Sequence, residues 1–127
     1  MIVVDASAGV SALLNGGEAR DRLSREPLAA PHLADSEVAH VLRSQVLRAQ
    51  IDETVARTAL HRWARLGIRR FGVVGLLPRI WELRDNVTAY DATYVALAEA
   101  LGCELLTGDA RLADAAGVSC VVAVVPR

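Results

Sequence analysis

The stretch TAYDATYVALAEALGCELLTGD, Thr88–Asp109, decides the fold of this chain. Its first part is rich in Ala, Val and Leu behind a Thr that can cap a helix, and Gly102 is a typical helix end. The spacing therefore predicts a helix over Thr88–Leu101. The apolar run Glu104–Thr107 follows at once and predicts a strand. A helix that leads straight into a short apolar strand indicates the α/β class.

The same alternation of short apolar runs and helical periodicity extends through the whole chain. Strands are predicted at Ile2–Val4, Leu28–Pro31, Phe71–Val74, Glu104–Thr107 and Ser119–Val125. Helices are predicted at Ala8–Leu14, His32–Gln50, Asp52–Leu66, Leu77–Leu83, Thr88–Leu101 and Arg111–Ala116. Buried strands alternating with helices favour a parallel sheet covered on both faces. We expect a three-layer α/β/α domain that spans residues 1–127.

Length and composition are typical of one globular domain. The chain has 127 residues, of which 53% are hydrophobic and 23% charged, so it can bury a core without disulfides. No apolar run reaches the roughly 18 residues of a membrane span, and no basic segment precedes an apolar one at the N-terminus. Cys103 and Cys120 form no CxxC pair, which argues against a cysteine-based zinc site. We therefore expect a soluble cytoplasmic protein with reduced thiols.

The charged residues exclude several mechanisms and favour a class of partner. All 14 basic residues are Arg, so chemistry that needs a lysine is excluded: the P-loop, Schiff-base catalysis and receiver-type phosphotransfer. The formal net charge is −1. If four of the 15 acids belong to one site, the remaining surface is net positive. Such a surface suits a polyanionic partner.

Two acids directly follow predicted strands. Asp5 comes after Ile2–Val4, and Asp109 follows Glu104–Thr107 and one glycine. Ligands of open parallel sheets bind outside the carboxyl ends of the strands, so both residues are candidates for a site. The alternative is that each Asp only caps the helix behind it.

Two further acids lie on predicted helices. Glu37 shares a face with Leu33 and Val41, and a carboxylate on an apolar face needs an Arg or a cation as its partner. Asp91 lies in a helix dense with Ala, Val and Leu. Its alternative role is that of the acid in a capping box with Thr88.

Together the four acids predict a metal centre. Two full charges about 4 Å apart repel by about 4 kcal/mol at an effective dielectric near 20, so a cluster of carboxylates holds protons or binds a multivalent cation. Oxygen ligands without a His or Cys set favour Mg²⁺ or Mn²⁺. A metal-activated water at such a centre is suited to phosphodiester hydrolysis. Ser7 and Thr107 can contribute hydroxyls there, although turn or cap roles are the alternative for each.

The sequence resembles the PIN-domain nucleases and, among them, the VapC toxins of bacterial toxin–antitoxin pairs. The matching segments are IVVDAS at 2–7, EVAHVLR at 37–43, YDATYVALA at 90–98 and LLTGD at 105–109. The Tyr-Asp-Ala and Thr-Gly-Asp segments are the more specific ones, and order and spacing fit over essentially the whole chain.

The resemblance implies a function and a set of residues. It implies that Asp5, Glu37, Asp91 and Asp109 bind Mg²⁺ or Mn²⁺ and that the protein is an endoribonuclease. It also implies a homodimer neutralised by a VapB-type antitoxin. Separately from the resemblance, Leu13 and Leu14 are candidates for the groove that such an antitoxin would occupy. The alternative function is a PIN-like module that binds RNA or protein without cutting.

His40 departs from the pattern of these nucleases, where many relatives have Asn three residues after the Glu. Its imidazole is a candidate for a hydrogen bond to Glu37 at i, i+3. The alternative is a partly buried histidine without a role at the site.

Overall fold

A computed structural model describes all residues 1–127 and contains five strands and seven α-helices. The strands are β1 Ile2–Val4, β2 Leu28–Pro31, β3 Arg69–Phe71, β4 Glu104–Thr107 and β5 Val122–Val124. The helices are α1 Ala6–Asn15, α2 Gly17–Arg25, α3 Leu33–Leu47, α4 Glu53–Ala64, α5 Leu77–Glu82, α6 Ala89–Leu101 and α7 Ala110–Ala113. No helix is both long enough and apolar enough to span a membrane.

The strands form one parallel sheet in the order β3-β2-β1-β4-β5, which confirms the predicted fold class. The chain moves from β1 outward to β3, then returns past β1 to β4 and β5. Parallel crossovers are right-handed, so α1–α4 cover one face of the sheet and α5–α7 cover the other. The direction of winding reverses between β1 and β4, and ligands of such sheets bind at the carboxyl ends of the strands at this switch point.

Burial follows the position of each element in the layers. All three residues of β1 and all four of β2 are buried, as expected for strands covered on both faces. Helix α6 contacts β1, β2 and β4, and its residues Ala92–Ala98 are all buried. Its many alanines allow the helix to approach the sheet closely. The first turn of α6, which carries Asp91, is thereby held beside the switch point.

The structure differs from the predicted elements in four places. β3 is Arg69–Phe71 and not Phe71–Val74, because Val74–Leu76 forms a single 3-10 turn. The helix predicted at Arg111–Ala116 is α7, only four residues long, and the last strand is limited to Val122–Val124. Helix α2 was not predicted, since it is mostly polar and buries only Ala19 and Leu23.

Candidate functional site

Asp5 lies at the switch point and is almost fully buried, with 6% of its surface exposed. It follows β1 and caps α1, since its Oδ1 accepts a hydrogen bond from Ala8 N at 2.9 Å. Ser7 Oγ donates to the same oxygen at 2.7 Å, and Thr107 Oγ1 donates to Oδ2. Burial nevertheless raises the pKa of Asp5, and the like charge of Asp91 raises it further. Asp5 therefore caps α1 and at the same time lies buried beside another candidate acid, so capping does not exclude a role in the candidate site.

Ser7 and Thr107 tie the ends of β1 and β4 together around Asp5. Ser7 Oγ accepts a hydrogen bond from Gly108 N at 2.8 Å, and Thr107 Oγ1 accepts one from Asp109 N at 3.0 Å. Thr107 is completely buried. Each hydroxyl thus donates to Asp5 and accepts from the loop that carries Asp109. Three donors occupy three of the roughly four lone-pair positions of the Asp5 carboxylate, which leaves one on Oδ2.

Glu37 projects from α3 and is half-buried. Its Oε1 accepts a hydrogen bond of 2.5 Å from the hydroxyl of Tyr94, a residue of α6 that is only 2% exposed. Burial raises the pKa of Glu37, while the Tyr94 hydrogen bond lowers it and the charges of Asp91 and Asp5 raise it. Burial, together with Glu37, also raises the pKa of Tyr94, so its proton stays on the phenol oxygen.

Tyr94 is a residue in direct contact with a predicted site residue for which the sequence analysis gives no role. It was part of the segment that carries the resemblance, but no role was predicted for it. Its position three residues after Asp91 places both side chains on one face of α6, which is the signal that identifies it.

His40 lies on the exposed surface of α3. It does not form the predicted hydrogen bond to Glu37, whose partner is Tyr94. It is also not the partly buried histidine of the alternative. Its effect on Glu37 is electrostatic, since a positive charge on His40 acts to lower the pKa of Glu37.

Asp91 lies in the first turn of α6, half-exposed. Thr88 Oγ1 accepts a hydrogen bond from Asp91 N at 3.1 Å, which is the helix cap. This bond uses the backbone of Asp91, and the Thr88 hydroxyl also acts on the carboxylate, where it lowers the pKa. Burial raises the pKa of Asp91, and the charge of Asp109 adds to that effect.

Asp109 caps α7 and is paired with an arginine. Its Oδ1 accepts a hydrogen bond from Arg111 N at 3.0 Å, and the Arg111 guanidinium reaches both carboxylate oxygens, with Nη2 at 2.9 Å from Oδ2. This guanidinium lowers the pKa of Asp109. The side chain of Arg111 is 88% exposed, so solvent and other anions can reach it.

The four acids are coupled through their charges. Asp5 and Glu37 each have a raised pKa to which Asp91 contributes, and Asp91 has a raised pKa to which Asp109 contributes. No three carboxylate, imidazole or thiolate groups lie close enough together to hold one ion. The sequence predicts four carboxylates around one ion, and the structure does not show them in that arrangement. The reason is that three of the acids each accept a hydrogen bond from a different donor: Asp5 from Thr107, Glu37 from Tyr94 and Asp109 from Arg111.

The donor set nevertheless fits a hard divalent cation in its chemistry. It consists of carboxylate oxygens, and three of the four acids are penalised as anions where they lie. A cation near these groups would relieve that penalty.

Comparisons with known proteins point to one family. A sequence model of the PIN domain matches residues 2–118. The chain is 54% identical to Ribonuclease VapC9 of Mycobacterium tuberculosis over 127 residues, which is 100% of both chains.

Solved structures share the fold. The crystal structure of Mycobacterium tuberculosis VapC20, a sarcin-ricin loop cleaving toxin, aligns with a TM-score of 0.70 at 18% identity over 94% of this chain and 97% of its own. The crystal structure of VapBC2 from Rickettsia felis bound to a promoter DNA fragment aligns with a TM-score of 0.71 at 14% identity. That alignment covers 98% of this chain and 99% of the other.

Proposed function

Because this chain belongs to the PIN-domain family and, within it, to the VapC proteins, we propose that it is a divalent-metal-dependent endoribonuclease. Its substrate is an RNA phosphodiester bond. The observation that carries the proposal is the position of the acids at the switch point between β1 and β4. Ser7 and Thr107 hydrogen-bond there both to Asp5 and to the loop that carries Asp109, and the charge of Asp91 raises the pKa of Asp5 and Glu37. The 54% identity to a protein named as a ribonuclease supports the reaction class.

The four acids share one role in the proposed mechanism, and the residues that contact them have others. Asp5, Glu37, Asp91 and Asp109 would hold Mg²⁺ or Mn²⁺. When bound, such an ion makes water a better nucleophile and stabilises the leaving oxygen of the phosphodiester. Ser7 and Thr107 hold the Asp5 carboxylate in one orientation, and Tyr94 does the same for Glu37. The Arg111 guanidinium is exposed and can bind a phosphate oxygen of the RNA when it leaves Asp109.

The substitution Asp5→Asn tests the reaction. Asn keeps the shape of the side chain and can still accept the cap bond from Ala8, so the fold should survive. We expect Mg²⁺-dependent cleavage of RNA to fall at least 100-fold, measured on total RNA by primer extension. Asp114→Asn is the matched control, since that acid is the exposed C-cap of α7 and takes part in none of the hydrogen bonds of Asp5. Unchanged cleavage by Asp5→Asn would exclude the proposed centre.

Metal binding has a readout that does not depend on activity. A ligand that binds only the folded state stabilises it by RT ln(1 + [L]/Kd), about 2.7 kcal/mol at 100 times Kd. We expect Mn²⁺ or Mg²⁺ to raise the Tm of the protein and to raise the Tm of Asp91→Asn much less. Equal shifts in both proteins would show that the ions bind elsewhere.

A VapB-type antitoxin is the proposed protein partner. An apolar cleft of about 380 Å³ lies between α1, α2 and α4, lined by Leu13, Leu23 and Leu66 and by Arg20, Arg62 and Arg65. Leu14 borders the adjoining cleft on the α4 side. Apolar walls with arginines at the rim suit an amphipathic acidic segment. Leu13 and Leu14, the candidates from the sequence, both lie at this surface.

We also propose a homodimer. Val74, Leu77 and Trp81 are 82%, 53% and 68% exposed and follow one another at helical spacing around the start of α5. We call these three residues the α5 patch. Large exposed apolar groups in one place are typical of protein interfaces.

One observation favours a second function, a PIN-like module that binds RNA or protein without cutting. The Arg111 guanidinium pairs with Asp109, and no three acids surround one ion. If this pair blocks the centre, Arg111→Ala should create or increase Mg²⁺-dependent cleavage. If Arg111 binds substrate instead, Arg111→Ala should lower cleavage.

A further inference from the structure

A second recess adjoins the candidate site and has no assigned role. It lies between α1 and α3 and has a volume of about 450 Å³. We call it the α1–α3 cleft. Its lining includes Ser7 of α1 and Gln50 and Ile51 of the loop after α3. Ser7 also donates a hydrogen bond to Asp5, so the cleft is adjacent to the carboxylates of the candidate site.

The helices that form the cleft are the helices that carry the site. Val41 and Gln45 line the cleft and follow Glu37 at successive i+4 positions of α3. Eight residues of helix span about 12 Å, so the cleft runs roughly that far from Glu37. On the opposite wall, Ser11 and Asn15 follow Ser7 along α1 in the same way. An extended chain that crosses the carboxylates can therefore continue into the cleft.

The walls of the cleft combine apolar surface with amides. The half-buried Leu14 and Val41 and the mostly buried Val10 provide the apolar surface, and Asn15, Gln45 and Gln50 provide the amides. Asn15 and Gln50 are exposed and Gln45 is half-exposed, so their donors and acceptors are accessible. Single-stranded RNA is recognised by stacking of its bases on aromatic side chains or Arg and by hydrogen bonds to the base edges, and this cleft, which has no aromatic residue, offers the second of these. Side-chain amides offer a donor and an acceptor together, which matches a base edge.

An arginine lies between the cleft and the carboxylates. Arg127 lines the cleft, and its Nε donates a hydrogen bond of 3.1 Å to the carbonyl oxygen of Gly108. A Cβ at position 108 would lie 2.9 Å from Arg127 Cγ and 3.2 Å from Ser7 Oγ. Gly108 therefore allows the guanidinium to lie against the loop that carries Asp109. A positive group at this point can bind the phosphate that joins two nucleotides.

From this juxtaposition we propose that the α1–α3 cleft is a subsite for one base of single-stranded RNA, next to the phosphodiester at the carboxylates. Gln45 and Asn15 hydrogen-bond to the base edge, Val10 and Val41 contact its faces, and Arg127 binds the adjoining phosphate. The cleft thus selects the nucleotide beside the cleaved bond. This subsite rests on the proposed function, because it takes RNA to lie across the carboxylates.

Binding of short RNAs tests the subsite without requiring cleavage. Four fluorescein-labelled pentanucleotides that differ only in the central base are titrated with the wild-type protein and with Gln45→Leu in EDTA, and anisotropy is measured. We expect the wild type to prefer one base and Gln45→Leu to reduce that preference about tenfold. Asn86→Ala, which removes an amide outside the cleft, should keep the wild-type preference. Gln45→Glu, which replaces the NH₂ donor by an acceptor, should change which base is preferred.

Cleavage then separates the subsite from the reaction. In Mg²⁺, Gln45→Leu should cut at a broader set of sequences than the wild type. A wild type that prefers one base in EDTA but cuts no RNA supports the subsite and overturns the proposed ribonuclease. Three results would overturn the subsite. The wild type has no base preference, Gln45→Leu keeps the preference of the wild type, or Gln45→Leu binds all four RNAs more weakly by the same factor. Loss of antitoxin binding by Gln45→Leu with unchanged RNA preference would show that the cleft holds a protein segment instead.

Discussion

At the residue scale, three of the four acids of the candidate site are costly to ionise, and hydrogen bonds from neighbouring side chains oppose that cost. Asp5, Glu37 and Asp91 each have a raised pKa because burial and like charges penalise the anion. Tyr94 opposes that effect at Glu37, as Thr107 and Ser7 do at Asp5. The side chains around the carboxylates therefore decide at which pH the site is fully charged.

The substitution Tyr94→Phe tests the part of that effect that acts on Glu37. The Tyr94 hydrogen bond lowers the pKa of Glu37, so its removal should raise that pKa. The acidic limb of the pH profile of kcat/KM should move to higher pH, and cleavage near pH 6 should fall about tenfold. Tyr90→Phe is the matched control, because Tyr90 is 62% exposed and lies on the same helix. A pH profile that does not move would limit Tyr94 to packing.

The raised pKa values also predict how stability depends on pH. A folded-state pKa above the unfolded value means that the folded protein binds more protons, so stability is lost as pH rises through the window between the two values. For Asp5, Glu37 and Asp91 that window begins near the ordinary carboxyl pKa of about 4 and extends upward. Asp35, Glu99 and Asp109 have lowered pKa values and act in the opposite direction below about pH 4.

We therefore expect the metal-free protein to lose stability as pH rises above about 4. Asp5→Asn removes one buried anion, so at pH 7 it should raise the Tm by about 3–5 °C, the shift expected for about 1 kcal/mol. It should also flatten the pH dependence. Thermal melts in EDTA from pH 4 to 8 measure both. A variant less stable than the wild type at pH 7 would show that hydrogen bonds outweigh the burial cost of Asp5.

At the scale of elements, α1 is held in place by a close contact with α4. Gly9 of α1 faces the indole of Trp63, and an added Cβ would lie 2.6 Å from its Cζ3 atom. Trp63 is 3% exposed, and its Nε1 donates to Asp35 at 2.8 Å. The ring is therefore held both by packing and by a hydrogen bond, and α1 can approach α4 only without a side chain at position 9.

Gly9→Ala should destabilise the protein even though Ala favours helix. The helix-propensity gain is about 1 kcal/mol, whereas overpacking in a core costs about 1–3 kcal/mol. We expect a net loss of about 1 kcal/mol in the free energy of unfolding by urea. Gly72→Ala is the control, since nothing lies within 4 Å of a Cβ there. Equal stability of the Gly9→Ala variant and the wild type would mean that Trp63 moves aside at little cost.

At the scale of the whole molecule, the sheet topology brings the acids together and leaves an apolar surface elsewhere. Asp5 and Asp109 come from strands separated by about a hundred residues, yet their strands are neighbours. The α5 patch belongs to the other connection, between β3 and β4. The site and the proposed dimer surface thus lie on different elements of one chain.

Trp81→Glu should convert the proposed dimer into a monomer. The indole is 68% exposed, with the Arg84 guanidinium 4.9 Å from its ring centre, so the substitution should not disturb the core. A carboxylate in the centre of an apolar interface is costly to desolvate. Sedimentation analysis of the wild type and of Trp81→Glu measures the oligomeric state. Val121→Glu is the control, because Val121 is equally exposed but lies outside the α5 patch, just before the edge strand β5. A wild-type monomer, or dissociation by Val121→Glu alone, would contradict the α5 patch.

The sequence by itself determined the fold class, because the spacing of apolar residues and the residues that cap helices are local properties of the chain. The strand after Gly102 and the helix behind Thr88 occur where their residues predict them. Where local signals were weak the prediction failed: α2 is short and polar, and β3 depends on pairing with β2. The order β3-β2-β1-β4-β5 and the positions of Asp5 and Asp109 on adjacent strands are properties of the tertiary structure.

Only the tertiary structure decided which groups hold the acids. Tyr94 lies 57 residues from Glu37, Thr107 lies 102 residues from Asp5, and neither distance is encoded in a local pattern. The same holds for the exposure of His40. The pair of Asp109 with Arg111 is the exception, since those residues are only two positions apart in the chain. The physical reason is that residue types and spacing determine which elements form, whereas hydrogen bonds and like-charge effects depend on distances that exist only once the elements have packed.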